Sequence, residues 1–506
     1  MLEANYLTRI EEVIDASGIT SRIEESLSVG PRPRQLCVRT LFIGIMAALG
    51  DNCPGHLTRV HEALTGLSQY DQRRLGVLIE VNGLDHLLTY RQVEYTTHRV
   101  VVTLSKGAEN GFLPGAMSTV VDALTEASIP ALYKESSTSL AVDWTDVESH
   151  ANPVSAKELA TGALPSADPD ASWGHRRGDN PGQADEVFFG YYLSLATMVQ
   201  DEGKSKVPEV VRRANLTTCS VDPVPAFVPV LRNLQASGVV IGDILADSGY
   251  AHRIATNWAL PLRIMGANIV TDLHPSDRGC QGTFGGAILF NGNLYCPATP
   301  QALFSIGPLP RQASHQDTAE NDEKSAELAN YKISPITSDD QDGYYRASCP
   351  ATQGRVRCPL KEKSMALGFN CPEISQPPEH QPTCCTQATL TVPPSVNAKT
   401  RQKHDYPSAA HRLSYSRRTA VERSNSRIKD TATTNISKGF CRLTGLVPLM
   451  LFLACALVVR NLAVIDAFEI RQQENSRCAA EGKAPLIRKK RRRSLADLVT
   501  EVASTG

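Results

Sequence analysis

Two short apolar runs, each closing on a carboxylate, restrict the fold of this chain more than any other feature. The first is "SLAVDW" (Ser139–Trp144) and the second is "DILADSGY" (Asp243–Tyr250). Each reads as a buried strand whose C-terminal end is exposed with its acid. Between them, "VFFGYYLSLATMV" (Val187–Val199) reads as a strand and "VPEVVRRANLT" as another, followed by a helix over "VPAFVPVLRNLQASG" with Gly238 past its end. "ANIVTDL" gives a further strand after the second acid. Antiparallel strands, a helix and then a strand returning beside the first would set Asp143 and Asp247 at adjacent strand ends. The fold class is therefore α/β, a mixed sheet with flanking helices. Asp146 competes with Asp143, which is preferred because it ends the apolar strand. Asp243 is a weaker rival to Asp247 because it starts its strand.

The rest of the chain is organised around that sheet. Residues 1–130 look helical, with apolar positions near helical spacing in "YLTRIEEVIDAS", "RQLCVRTLFIGIMAALG", "HLTRVHEALTGL" and "YRQVEYTTHRVVVTL"; a helix-turn-helix would fit here, although no clear turn signature marks one. Residues 131–275 form the first part of the sheet domain. Within it, the polar stretch from about Asn152 to Glu186 reads as a mobile loop or a disordered one. Residues 276–398, rich in Cys and Pro, read as an irregular or β-rich insertion. Residues 399–470 complete the sheet domain, and 471–506 form a basic C-terminal tail. The apolar run "LVPLMLFLACALVV" (Leu446–Val459), closed by Arg460 and Asn461, is short for a membrane span and reads as a helix buried against the sheet.

Charge narrows the partners. Lys and Arg number 52 against 53 Asp and Glu, a net charge of −1, so any attraction to nucleic acid is local. Between Arg401 and Gly439 nine basic residues face three acids, and "RKKRRR" (Arg488–Arg493) adds a second block. The opening "MLEANYLTRIEEVID" is acidic and has no apolar core, unlike a signal peptide. With 13 cysteines in 506 residues and no such signal, the expected setting is the reducing cytoplasm, with no membrane partner.

One basic stretch carries an acid in a telling place. In "YSRRTAVERSNSRIKD" (Tyr415–Asp430), laid on a helix, Tyr415, Arg418, Glu422 and Lys429 share an arc of roughly 60°. Asn425 lies just outside it, and Val421 and Ile428 form a neighbouring apolar stripe. If this helix crosses the sheet edge, Glu422 joins Asp143 and Asp247. Three converging carboxylates repel one another unless a divalent metal neutralises them, and Mg²⁺ suits oxygen ligands. Two such ions suit phosphoryl transfer.

Tyr415, two residues, Arg418, three residues, Glu422, six residues and Lys429 also match the Y-R-E-K signature of a large bacterial insertion-sequence transposase family. The chain resembles an IS-four-like DDE transposase of that family, with "AVDWTD" similar to its first-Asp strand and "LADSGY" to its second. The likeness spans roughly residues 139–275 and 400–465. It implies an RNase H-like catalytic core with Asp143, Asp247 and Glu422 as metal-binding triad, and with Tyr415, Arg418 and Lys429 on DNA-end phosphates. It also implies two Mg²⁺ or Mn²⁺ ions, cleavage at the ends of a mobile element, strand transfer into target DNA, and a homo-oligomer on the paired ends. Arg gripping a phosphate in bidentate fashion and Lys acting as a point charge agree with those roles.

Other signals weigh less. Cys349, Cys358, Cys371, Cys384 and Cys385, with His380 nearby, could supply a structural Zn²⁺, although no paired CxxC repeat accompanies them. The chain has no GxxxxGK[ST], GxSxG or HExxH motif. Trp144 and Trp173 read as buried packing rather than base-stacking platforms. The rival readings are an RNase H-like nuclease that cuts without strand transfer, and a catalytically silent or repurposed DNA-binding protein.

Overall fold

The structure is a computed structural model that describes residues 4–27, 34–51, 55–176, 184–310, 313–430 and 434–484. The chain divides into two compact units, 1–462 and 463–506. The fold is mixed α/β, with its sheets and the candidate site in the first unit. The basic block 488–493 lies outside the described residues.

The first quarter of the chain is mostly helical, as its periodicity predicts: α1 (Ala4–Ser17), α2 (Ile19–Ser26), α3 (Val38–Gly50), α4 (Leu57–Thr65), α5 (Gln69–Arg74), α6 (Tyr90–Leu104), α7 (Gly115–Ala127) and α8 (Ala131–Lys134). A hairpin of β1 (Leu78–Val81) and β2 (Leu84–Leu87) interrupts it. Its two-residue turn, Asn82-Gly83, has φ of 54° and 78°, the positive pair that a tight hairpin turn demands. These helices do not form a separate core. Ile10, Leu41 and Val120 belong to one buried cluster with Ala141, Leu195 and Met450.

The main sheet is built from β3 (Ser139–Glu148), β4 (Ser172–Arg176), β5 (Glu186–Val199), β6 (Val211–Thr218), β7 (Asp243–Ala246) and β8 (Asn268–Thr271). β5 pairs antiparallel with β3 on one side, and on the other with β4 along its first residues and β6 along the rest. On the far side of β3, β7 runs parallel to it and β8 parallel to β7. Leu140 and Val142 pack in a cluster with Phe227 and Leu231 of α10 (Pro223–Ala236), while Ala141 and Val147 join the opposite cluster, as strand alternation requires. Gly190 is forced by the pairing, since a Cβ there would stand 2.1 Å from the Val147 carbonyl oxygen.

Two expectations are corrected in this sheet. β3 does not end at Asp143; it runs on to Glu148, because Asp143 through Glu148 pair with Leu195 through Gly190 of β5. Nor is 152–186 structureless: it holds α9 (Ala156–Ala160) and β4. Asp168 there is buried and accepts hydrogen bonds from Ser149 Oγ (2.6 Å), Tyr191 Oη and the Gly445 N–H (3.1 Å), which pin the segment.

The insertion, expected to be irregular or β-rich, is the second: it is built round a sheet. Strands β9 (Cys280–Phe284), β10 (Ala287–Phe290), β11 (Asn293–Tyr295), β12 (Lys332–Pro335), β13 (Tyr345–Ser348) and β14 (Leu390–Val392) follow one another antiparallel. The acidic tract forms a helix, His315–Ala329, capped by Ser314 Oγ accepting from the Asp317 N–H. The last helix, Leu446–Ala480, is longer than its apolar run and crosses the 470/471 boundary drawn from sequence. It is long and apolar enough to cross a membrane, yet 83 % of its most apolar stretch is buried in the protein. Asn461 is fully buried because its side-chain amide pairs with both the N–H and the carbonyl of Val211 at 2.8 Å, bonding the helix to β6.

Candidate active site

The open edge of the sheet creates the site. β7 pairs with β3 only at Leu140 and Ala141, then turns away after Ala246. Asp143 on β3 and Asp247, just past the end of β7, therefore lie side by side where that pairing stops. Asp247 Oδ1 accepts from the N–H groups of Gly249 (2.8 Å) and Tyr250 (3.3 Å), which holds the carboxylate as the chain leaves the sheet. Residue 249 is glycine for lack of room: a Cβ would stand 2.8 Å from the Trp144 ring. Beneath, Tyr250 lies between Trp144 and Trp258, with ring centroids at 4.8 and 4.6 Å. Trp144 thus packs as expected, whereas Trp173 does not: it is 55 % exposed, against Phe189.

The Y-R-E-K stretch is not one helix. It consists of Ala409–Ser416 and Thr419–Lys429, joined by a tight turn in which the N–H groups of Arg417, Arg418, Ala420 and Val421 each bond three residues back. Arg417 sits at that turn. Its guanidinium reaches inward to Asp243 (2.9 Å), the Gln200 carbonyl (3.1 Å) and the Ser414 carbonyl (2.9 Å), drawing the turn onto the sheet. Asp243, the weaker rival for the second acid, is buried in that ion pair and another with Lys403 at 2.8 Å.

The three expected acids meet at one cation. The Arg418 guanidinium pairs with Glu422 and stands 3.8 Å from Asp143 Oδ2 and 3.7 Å from Asp247 Oδ2. Burial works against its charge, but Tyr415, Asp143, Asp247 and Glu422 together raise its pKa. Asp143 is pushed up to about 7, by burial first; Arg418 pulls it back, and Asp247 and Glu422 push it further. Tyr415 is held in its phenol form by burial and stacks on His411 at 5.8 Å. Lys429 stands apart from this group. Its Nζ donates to Asp146 at 2.8 Å, in a network with Arg176 and Glu148. Asp146, the rival first acid, is thus committed to two cations and its pKa falls despite burial.

Asn425, set just outside the helical arc in the sequence, is part of the site. Its Nδ2 donates to Asp143 Oδ2 at 3.2 Å, and its Oδ1 is buried without a hydrogen-bond partner. Its place three residues after Glu422 was the available signal. Among the described residues, no three His, Cys, Asp or Glu side chains are gathered closely enough to hold a metal ion. The acids surround a guanidinium instead. No family model matches the chain, and no curated protein matches it either.

Proposed function

We propose that this chain is a DDE-type DNA transposase, which cuts phosphodiester bonds at the ends of a mobile element and joins the freed ends to target DNA. The observation that carries this reading is the meeting of Asp143, Asp247 and Glu422, from three separate elements, at the Arg418 guanidinium. The sheet order supports an RNase H-like core: three antiparallel strands, a helix, then parallel strands on the other side of the first. The insertion falls between the second acid and the third.

The donor chemistry, all oxygen and anionic, suits a hard divalent cation, Mg²⁺ or Mn²⁺, although the three carboxylates now surround Arg418 and must draw together to hold one. Three carboxylates against one guanidinium leave negative charge in excess when all are ionised, and the partnerless Asn425 Oδ1 adds a neutral oxygen beside Asp143. Such a cation would polarise the scissile phosphate and acidify the attacking water. The chain's own residues do the positioning. Asn425 aims Asp143, the Gly249 and Tyr250 N–H groups aim Asp247, and Arg418 offers a planar fork to a phosphate that competes for it. Water attacks phosphorus and the P–O3′ bond breaks, leaving a 3′-hydroxyl; that hydroxyl then displaces a 3′-oxygen in the target strand. Neither step needs a covalent protein intermediate. Two paired ends require a homo-oligomer, and the work belongs in the cytoplasm at the nucleoid.

The test is a plasmid in which the DNA segments flanking the coding region bracket a marker, incubated with the purified chain and Mg²⁺. Excision with joined products in a second plasmid is expected. Cleavage without joining would favour the plain nuclease, and binding without cleavage would favour a silent DNA-binding protein.

A further inference from the structure

The thiols expected from sequence to share a metal are only partly the ones that come together. Four cysteines line one small cavity in the insertion: Cys349, Cys358 and Cys385, and with them Cys296, which lies far upstream at the end of β11. All four are buried, between 4 and 8 % exposed. Cys371 and His380 do not line the cavity, and neither does Cys384, although it is buried next door.

We propose that Cys296, Cys349, Cys358 and Cys385 form a tetrathiolate site for a structural zinc ion. Size favours a single ion: the cavity offers about 10 Å³ to the centre of a water-sized sphere, roughly room for one atom. The ligand set favours zinc, since four soft thiolates suit a tetrahedral d¹⁰ ion. Loading releases the thiol protons and gives a site of net charge −2, and Lys361 in the same wall places a cation beside it. The four thiols line one cavity without standing close enough to hold an ion, so loading must draw them inward, which the staggered wells of each cysteine side chain allow.

The sequence around the ligands is consistent with one use repeated. "CPAT" occurs at Cys296–Thr299 and again at Cys349–Thr352, and Cys358 is also followed by proline. In two of the three the cysteine carbonyl accepts from the N–H three residues on, at Thr299 (3.0 Å) and Lys361 (2.9 Å), so the chain turns directly after the thiol. The insertion also has the need. Its core is split into two small buried clusters; Cys296, Cys349 and Cys358 belong to one and Cys385 to the other. Strands of three to five residues bury little apolar surface each, and a metal joining the two clusters would staple the sheet.

The experiment is elemental analysis of the full chain, purified with reductant from zinc-supplemented cells, beside Co²⁺ substitution. Close to one zinc per chain is expected, with Co²⁺ giving the visible and thiolate charge-transfer bands of a tetrahedral sulfur site. Cys349→Ser with Cys358→Ser should lose the metal, while Cys371→Ser and Cys384→Ser should keep it. Because the double variant can also fail by misfolding, the Co²⁺ spectrum of the unaltered chain stands as an independent readout. Zinc-free protein without Co²⁺ bands, equal metal loss in Cys371→Ser, or stoichiometric iron in place of zinc would each overturn the assignment. None of these outcomes depends on whether the chain cuts DNA.

Discussion

Asn425 donates from Nδ2 to Asp143 Oδ2 at 3.2 Å, while its own Oδ1 is buried with no partner. The helix that carries Glu422 therefore also grips the first acid of the site from the opposite element. An amide there supplies orientation without adding a fourth negative charge. Asn425→Ala should leave DNA binding within about twofold and lower the cleavage rate by about a hundredfold, the typical penalty for a misplaced catalytic group. Single-turnover cleavage under saturating protein separates the two effects. An unchanged rate would remove Asn425 from the positioning of Asp143.

The acids themselves can be ranked by substitution. Asp143→Ala, Asp247→Ala and Glu422→Ala should each abolish cleavage while binding to element-end DNA persists, because the cation serves chemistry more than docking. Asp146→Ala should behave differently. It frees Lys429 and Arg176 from an ion-pair network near the strand's end, and some cleavage should survive. Gel assays of both activities on one substrate decide this. Robust cleavage by Asp143→Ala with an inactive Asp146→Ala would transfer the role of first acid to Asp146.

A pH signature should come from Asp201, at the far end of β3 from the site. Its carboxylate accepts from Ser139 Oγ (2.7 Å), Ser137 Oγ (2.8 Å), the Thr138 N–H (3.0 Å) and Lys204 Nζ (3.1 Å). Burial alone would raise its pKa, but these donors outweigh burial and lower it. A depressed folded-state value means the charged form stabilises the fold above the unfolded-state value of about 4, and the benefit is lost as pH falls towards the folded-state value. Asp201→Asn should cost about 2 kcal/mol at pH 7 and progressively less below pH 4. Denaturant unfolding at several pH values measures the gap. A gap that stays constant with pH would place its origin in shape rather than charge.

The order of strands around the site could be read because each core strand carries a dense apolar run, and a run of that kind is a local signal. What could not be read depends on pairing across distance. Asp143 looked like a strand end because "DWTDVE" turns polar, yet its partner, Leu195 to Gly190, lies some fifty residues on and extends the strand. The helix from Tyr415 was expected to be continuous because nothing in its own residues breaks it. The turn that divides it coincides with Arg417, which pairs with Asp243, an ion pair across 174 positions. In the insertion, read as irregular or β-rich, the individual strands could not be placed: those as short as Asn293–Tyr295 and Leu390–Val392 are too brief for a period of two to register. The hairpin turn at Asn82-Gly83 is a local signal too, an Asn-Gly pair between "LIEV" and "LDHL", whose Ile79, Val81 and Leu84 share one face.

Holding DNA and cutting it should separate on the helix of the third acid. Arg418 and Lys429 carry charges that DNA phosphates can recruit, and both now pair with carboxylates, Arg418 with the site acids and Lys429 with Asp146. Arg423 points elsewhere, into an ion pair with Glu209 at 2.9 Å, about 100° round the helix from Glu422. Removing one cation from a DNA phosphate lowers the slope of log affinity against log salt by roughly one unit. Arg418→Ala and Lys429→Ala should therefore weaken binding to element ends most at low salt and flatten that slope, whereas Arg423→Ala should change it little. The Arg418 variant carries a second effect: it leaves Asp143, Asp247 and Glu422 without their shared cation, so it should also need more Mg²⁺ to be stable to heat. Binding titrations across a salt series, with melting curves at several Mg²⁺ concentrations, read both. A larger slope change for Arg423→Ala would mean that DNA docks on the opposite face of this helix, and the phosphate roles would pass to that face.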